Sequence, residues 1–474
     1  MADTGARCPR RRPRFASASA RRLLLTALAA GLLSACGGST DTGTGAGAPP
    51  SVGASAAGGA QSADTTVRID TTVRHQVIDG FGASERVFSD PHVANSPTST
   101  VPPDAQRQVL QSLISGAGLS RLRAILDPPQ SADPPYDFHA KLGDDHIALM
   151  RLATGLGLRT FFAAPVGLEQ WMLDSPAKYV DWAVTMLLRF KQMGVDMPLY
   201  SPSNEPSNVQ GLPSGWLDTV VSLLGPRMQQ AGLSTRLVIP DDIDPVSAVR
   251  QATSVLGDPR SRPFVAALAY HLYASDPRAG IEGMKALGAQ YHLPVWMTEF
   301  SAPQLGSWPG SLEWARDIHE LLTLGDVSAV DYLWGFFGSH EKPHTLISLQ
   351  LDGGTYQGET PQPVYSITEQ YARFARPGCV RVDAVSDQDD VLTTAFTCPD
   401  RSIVVVAIND GAATRTVSFG LHGATLAVSV PMRMTRTSAR EDAVDAGAPA
   451  ATDSAFLAPL PPQSITTVTG TLSS

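Results

Sequence analysis

Six apolar stretches of this chain end at near-regular intervals, and that rhythm limits its possible folds more than any other feature. They close near Pro165, Ser203, Asp241, His271, Glu299 and Trp334, with gaps of 38, 38, 30, 28 and 35 residues. Each gap suits one strand–helix unit. The intervening segments have helical spacing: within 176–194, Ala183, Met186, Leu187 and Phe190 share one face. Segments 216–233, 280–292 and 311–324 also read as helices, each followed by a breaker. Residues 80–84 and 119–123 supply two more strands, eight in all. Eight such units predict an α/β fold, a (β/α)8 TIM barrel over residues 77–372. A doubly wound open sheet is the alternative, weakened because no Gly-rich phosphate loop follows a first strand.

From about residue 373 the helical rhythm stops. Segments 401–409, 413–419, 425–432 and 464–470 read as strands, which predicts a small all-β sandwich over 373–474. The β-rich stretch 65–76 lies just before the barrel and can add a strand.

The first 36 residues read as an export signal. Arg10, Arg11, Arg12, Arg14, Arg21 and Arg22 precede an apolar run over 23–33, right for a signal core and too short for a stable membrane span. Leu33-Ser34-Ala35-Cys36 resembles the bacterial lipobox, which makes Cys36 a lipidation site and the mature N-terminus. Plain secretion with a cut near Ala35 is the alternative, and Arg21-Arg22 is weak as a twin-arginine signal. Residues 37–66 are rich in Gly, Ser, Ala and Thr and predict a flexible tether.

Without residues 1–36 the chain carries 29 basic and 44 acidic residues, a net charge of −15. That excess disfavours nucleic acid and anionic membrane as partners and is compatible with a polysaccharide. The expected membrane contact is through the lipid anchor at Cys36 alone.

Of four cysteines, Cys8 and Cys36 fall in the presequence. Two β-like runs, 380–385 and 391–397, flank Ser386-Asp387-Gln388-Asp389-Asp390. A hairpin centred on Gln388 and Asp389 places Cys379 opposite Cys398, as a cross-strand disulfide requires, and export permits the bond. Two unpaired buried thiols are the alternative.

Two segments carry the chemistry: Leu199-Tyr200-Ser201-Pro202-Ser203-Asn204-Glu205-Pro206 and Pro294-Val295-Trp296-Met297-Thr298-Glu299-Phe300. Each sets a carboxylate at the end of an apolar strand, on the barrel face that holds active sites. Retaining glycoside hydrolysis needs two carboxyls about 5–5.5 Å apart, one ionised and one protonated. Asn204 can hydrogen-bond a sugar 2-OH, and Arg123, at another strand end, can face the nucleophile. His340 and His344 suggest a metal pair, but Pro343 interrupts any regular helix and no third ligand is apparent, so no metal or cofactor is expected. No Gly-x-Ser-x-Gly elbow or Walker loop is present.

At these residues the chain resembles glycoside hydrolase family 30. The matching pieces run in family order: 76–84 for the opening strand, 118–123 for the second, Trp171-Met172 after a third-strand proline, 201–206 for the acid/base motif, His271 and Tyr273 on the sixth strand, 296–300 for the nucleophile motif, Trp334 on the eighth strand, 374–382 for the return into the sandwich and 462–467 for its last strand. The resemblance spans about residues 66–470. It implies Glu205 as acid/base, Glu299 as nucleophile, Trp334 stacking under the sugar, and Arg123, Asn204, His271, Tyr273 and Trp171 around the substrate. It also implies that the N-terminal strand joins the sandwich. There are departures: Ser203 stands where Gln is common, Val166-Gly167-Leu168-Glu169 replaces a Trp-containing stretch, and the long segment 338–361 fits no substrate subgroup. Trp308 can reach a sugar from a loop, whereas Trp314 reads as packing. The expected function is retaining hydrolysis of a β-linked glycan of xylan or β-1,6-glucan type. A glucosylceramidase-type glycolipid hydrolase and a non-catalytic carbohydrate-binding lipoprotein are the alternatives.

Overall fold

Eight parallel strands close into a barrel: β2 (Gly80–Glu85), β3 (Arg121–Leu126), β4 (Thr160–Pro165), β5 (Leu199–Tyr200), β6 (Arg236–Asp242), β7 (Val265–His271), β8 (Val295–Glu299) and β9 (Ala329–Tyr332), with β9 pairing back onto β2. A first strand, β1 (Thr65–Val77), precedes them. The computed structural model describes residues 62–136, 143–273 and 279–473. The proposed signal segment, Cys36 and nearly all of the predicted tether lie outside the described residues.

Parallel barrel strands are covered on both faces, so their sequences are apolar or tightly paired throughout. Every residue of β2, β3 and β8 is buried. Phe162, Val238, Ala267, Ala269, Trp296 and Ala329 fill the barrel interior. Two charged groups share that interior: Arg121 pairs with Asp331 at 2.9 Å and stacks 4.1 Å over Trp296.

The helices, in chain order, are α1 (Pro91–Ala94), α2 (Pro103–Gln111), α3 (Gly143–Gly155), α4 (Gln170–Asp174), α5 (Pro176–Gln192), α6 (Trp216–Gln230), α7 (Pro245–Gly257), α8 (Ile281–Tyr291), α9 (Trp308–Thr323) and α10 (Pro363–Ala372). The helix starts are written in the sequence. Ser175, Asp244 and Ser307 cap α5, α7 and α9 through side-chain oxygens, each followed by a proline in the first turn. The Asp244 cap follows directly on the end of β6 at Asp242, which keeps the loop after that strand short.

The eighth barrel strand ends at Tyr332. Trp334, expected on it, instead opens a separate three-stranded sheet of β10 (Trp334–Gly338), β11 (Thr345–Asp352) and β12 (Thr355–Pro361). Period alone could not separate these, because the apolar run continues from Ala329 to Phe337 with only one residue between the two strands.

The remaining strands are β13 (Val380–Ser386), β14 (Val391–Thr397), β15 (Ser402–Asn409), β16 (Arg415–His422), β17 (Arg433–Ser438), β18 (Glu441–Gly447), β19 (Ala450–Ala451), β20 (Ala455–Leu460) and β21 (Ser464–Thr471). With β1 they form one ten-stranded sheet, ordered β18-β17-β21-β15-β14-β13-β1-β16-β20-β19. It folds over a core that includes Val67, Val405, Phe419, Phe456 and Val468. β1 sits in the middle, antiparallel to β13 and parallel to β16, so the N-terminal strand is integral to the sandwich. Residues 425–432, expected as a strand, are mostly a turn: Val430 N–H donates to Ala427 at 2.9 Å and Pro431 offers no amide to a ladder. The β13–β14 hairpin pairs Val380 with Thr397, and the adjacent Cys379 and Cys398 are disulfide-bonded with Cα atoms 4.0 Å apart.

Barrel and sandwich meet through α9 and α10. His319 contacts Thr394 at 2.8 Å, Arg316 pairs with Asp410 at 2.6 Å, and Gln370 donates to Thr437 at 2.8 Å. Trp308 donates to the Gln463 carbonyl at 3.0 Å, which commits its indole N–H to this junction. Trp314 is fully buried and donates to Thr368 at 3.0 Å. No helix among the described residues is long and apolar enough to cross a membrane.

Candidate active site

Glu205 and Glu299 meet at the C-terminal ends of the fourth and seventh barrel strands. One oxygen of each lies with a ring nitrogen of His271 in a group whose atoms are all within 4.8 Å of one another. The segment before Glu205 is tied to its neighbour strand: Ser201 N–H donates to Ala163 at 2.8 Å and Asn204 N–H to Pro165 at 3.1 Å. Glu205 itself takes a left-handed backbone, φ 48° and ψ 62°, which costs an L-residue and persists only where the surroundings impose it. The restraint comes from Asp241, whose carbonyl accepts the Glu205 N–H at 2.9 Å and whose own φ is 61°.

The two carboxylates have different partners. Glu299 Oε2 accepts from Arg123 at 2.8 Å, and its Oε1 lies 4.0 Å from His271 Nδ1. Glu205 Oε1 meets His271 Nδ1 at 2.8 Å, and its Oε2 accepts from Asn208 at 2.9 Å. Burial pushes the Glu205 carboxyl up, but His271, Asn208 and Arg123 outweigh it, so Glu205 sits below the usual glutamate range.

Beneath the pair lies a polar layer that the sequence reading missed. Asp241 is fully buried, bonded to Arg123 at 2.9 Å and to Thr298 Oγ1 at 2.6 Å, with His271 Nε2 at 3.4 Å. Burial opposes its charge, but Arg123 and His271 hold its carboxyl well below the usual range. Ser84, also fully buried, accepts from Arg123 at 3.1 Å. Asp242 fixes the residue after Pro206, accepting the Ser207 N–H at 3.0 Å and its hydroxyl at 2.6 Å. The one signal in the sequence was Pro240-Asp241-Asp242 at a strand end, two acids where an apolar barrel strand offers no solvent.

Arg123 and His271, expected to touch substrate, have no exposed surface. Both lie under the carboxylates and position them, because each is already enclosed by acidic partners. Burial disfavours a charged His271, yet Glu299, Asp241 and Glu205 outweigh it and push the imidazole up to about 10. Asn204 Oδ1 accepts from Arg123, which leaves the amide Nδ2 as the group able to face a sugar hydroxyl. Tyr273 remains partly exposed, edge-on to His271 at 6.1 Å; burial and the Glu299 charge push its phenol well up. Trp334 is partly exposed and packs 4.8 Å from Phe337. Trp171 donates to the Pro129 carbonyl at 3.2 Å, in the loop after β3, and that bond does not tie it to the carboxylate cluster.

Glu205, His271 and Glu299 are spaced so that they could surround a cation. Their chemistry fits a hydrogen-bonded set better. A protonated imidazole is a donor and no ligand, and the Arg123 guanidinium already supplies a cation beside Glu299. Of the two histidines weighed as a metal pair, His344 Nδ1 meets Ser301 Oγ at 2.8 Å and His340 packs edge-on to Phe337.

Residues 378–468 match the family model described as the glycosyl hydrolase family 30 beta sandwich domain. The chain is 25% identical over 301 residues to the glucuronoxylanase XynC of Bacillus subtilis, covering 62% of this chain and 66% of that protein, just under two thirds of its length. The structure of a GH30 endoxylanase from Clostridium papyrosolvens C71 superposes with a TM-score of 0.69 at 22% identity, covering 86% of this chain and all of that one. The endo-beta1,6-glucanase BT3312 superposes with a TM-score of 0.66 at 17% identity, covering 86% and 94%. At such identities the superpositions speak for the fold: a closed parallel barrel with an attached sandwich containing β1. Residues 378–468 carry the family 30 sandwich domain, and in sandwich, barrel and sequence the chain is similar to members of glycoside hydrolase family 30.

Proposed function

We propose that the protein is a retaining β-glycoside hydrolase in which Glu299 is the nucleophile and Glu205 the acid/base. The observation that carries this is the carboxylate pair, with oxygens within 4.8 Å of each other. Retaining enzymes hold their carboxyls at about 5–5.5 Å, whereas inverting enzymes need roughly 6.5–9.5 Å to admit a water between them.

In the first step a Glu299 oxygen bonds to the anomeric carbon, the glycosidic C–O bond breaks, and Glu205 gives its proton to the departing oxygen. Arg123 holds Oε2 and so leaves Oε1 to attack. In the second step Glu205, now a carboxylate, takes a proton from water, the water oxygen bonds to the same carbon, and Glu299 is released. Glu205 must be protonated to begin, although in the resting site it sits below its ordinary range. His271, 2.8 Å away and pushed up to about 10, carries the proton there. A bound sugar excludes water from Glu205 and favours its neutral form, so the proton can cross that hydrogen bond.

The substrate is a β-linked glycan of xylan or β-1,6-glucan type, a reading supported by the names of the relatives above. The protein is exported and held at the cell envelope by a lipid on Cys36, with the Gly/Ser/Ala-rich segment as tether. Hydrolysis of aryl β-glycosides and a panel of β-glycans tests the activity. Release of sugar by the wild type and its loss in Glu299→Gln support it; binding without release, unchanged in Glu299→Gln, overturns it in favour of a carbohydrate-binding protein. Membrane fractionation tests the anchor: Cys36→Ala releases the protein, and continued membrane association overturns that assignment.

A further inference from the structure

The turn that leads into β11 is fastened to the end of β8. Tyr332 Oη donates to the Pro343 carbonyl at 3.0 Å, and the His344 N–H donates to the Glu341 carbonyl at 2.7 Å. Thr345, the next residue, pairs with Trp334 where β10 and β11 run side by side. Held in this way, His344 sets its Nδ1 2.8 Å from the Oγ of Ser301, a buried residue two positions after Glu299. The Tyr273 phenol meets both the Ser301 hydroxyl and the Glu299 carboxylate in side-chain hydrogen bonds. Its backbone is pinned beside them: the Leu272 N–H donates to the Glu299 carbonyl at 3.1 Å and the Tyr273 N–H to the Ile243 carbonyl at 3.2 Å. A line of four side chains thus runs from His344 through Ser301 and Tyr273 to Glu299.

Counting protons gives this line a direction. An ionised Glu299 only accepts. Burial and the charges of Glu299 and Glu205 push the Tyr273 phenol well up, so it keeps its single O–H. Ser301 also has one O–H. Burial lowers His344 against the charge of Glu341, which favours a neutral ring with one N–H. Three contacts and three protons close in one pattern only: His344 Nδ1–H donates to Ser301, Ser301 to Tyr273, and Tyr273 to Glu299. If Ser301 donated to His344 instead, either Ser301 and Tyr273 would face each other without a proton between them, or Tyr273 would turn its proton away from Glu299. In the one-way pattern each donor polarises the next.

We propose that His344 is a positioning residue for the second chemical step, fixing through Ser301 the direction of the Tyr273 hydroxyl so that its proton points at Glu299. This rests on the glycosidase reading above. When the bond between the anomeric carbon and Glu299 breaks, the electron pair returns to the carboxylate, and a donor already aimed there stabilises the charge as it develops. The same donor steadies the resting carboxylate, so it does not speed the attack that forms the bond.

The test separates the two steps on an activated dinitrophenyl β-glycoside. Rapid-quench mass spectrometry follows formation and decay of the glycosyl-enzyme. His344→Leu, which has no hydrogen-bonding group, should slow decay about fivefold without slowing formation, so that kcat and KM fall together where decay limits turnover. His344→Asn can set an amide N–H where Nδ1–H stands and should recover decay to within about twofold of the wild type. Proton–nitrogen NMR of the wild type should find the His344 ring proton on Nδ1, a reading that does not depend on how any variant folds. Formation and decay slowed alike, decay unchanged in His344→Leu, His344→Asn as slow as His344→Leu, or a ring proton on Nε2 would each overturn the proposal. Failure of the wild type to cleave any glycan or aryl glycoside sinks the underlying glycosidase reading instead.

Discussion

Replacing Asp241 by Asn removes one negative charge from the layer beneath the carboxylates without changing its volume. Asp241 is fully buried and faces two cationic groups, Arg123 at 2.9 Å and His271 at 3.4 Å, while accepting from Thr298 at 2.6 Å. An amide whose oxygen stays in the Oδ1 position keeps the Thr298 hydrogen bond, with His271 on the same side, but turns its own N–H groups toward the Arg123 guanidinium. Removing one partner of a buried ion pair costs about 3–5 kcal/mol, and one retained hydrogen bond offsets ~1 kcal/mol of that. The expected loss is therefore about 2–4 kcal/mol. At roughly 2 °C per kcal/mol, the lower figure for large domains, the melting temperature should drop by about 4–8 °C. The chemistry should change as well. Asp241 is among the acids that hold His271 up to about 10, so an imidazole titration followed by NMR should move down toward the ordinary value. The pH profile of kcat/KM on an aryl glycoside should lose activity on its alkaline side, because Glu205 loses its proton-bearing partner at lower pH. A variant with the melting temperature of the wild type and a superimposable pH profile would refute the coupling described here.

Other outcomes follow from the same contacts. Glu205→Ala should slow cleavage of glycosides with poor leaving groups by at least about 10³-fold but spare the first step on an activated aryl glycoside, a difference read by single-turnover kinetics. His271→Asn should show the same leaving-group dependence more weakly, since it removes the proton's resting place and leaves the acid itself. Burial, with Arg381 nearby, lowers His319 to about 4 at the barrel–sandwich junction. A histidine depressed in the folded state contributes stability that is full above about 6.5 and is lost as pH falls through about 4, so the unfolding free energy from urea titrations should decline over that window by an amount on the order of 2–3 kcal/mol. His319→Gln should flatten that decline. Replacing Cys379 and Cys398 by Ser opens a loop of 19 residues' separation, worth roughly 3 kcal/mol by chain entropy, and calorimetry of the variant should show the sandwich weakened.

Much of the barrel could be read from sequence because parallel strands buried on both faces are short apolar runs at a fixed repeat. His271 and Glu299 end their strands in the structure as they do in the sequence pattern. The hairpin around Gln388 and Asp389 was legible for a similar reason: two β-like runs and a polar turn leave one register that pairs Val380 with Thr397. Residues 425–432 misled because alternating apolar residues were weighed above Pro431 and the turn before it. Glu205 and Glu299 stood out as charges on apolar strands. Asp241 carried the same signal and was passed over, since its importance comes from three residues more than 25 positions away, Arg123, His271 and Thr298. Burial separated Arg123 and His271 from the sugar-contacting groups, and burial is a property of the assembled barrel that no local motif contains.

The proposed mechanism requires Glu299 to form a bond to the sugar and Glu205 to return water to the same face. Proton NMR of the first-formed product, recorded before the anomers equilibrate, reads that directly. The β anomer should appear first and convert slowly to the equilibrium mixture. An α anomer appearing first would mean a single displacement by water, which the spacing of Glu205 and Glu299 does not accommodate, and would contradict the roles given to both residues.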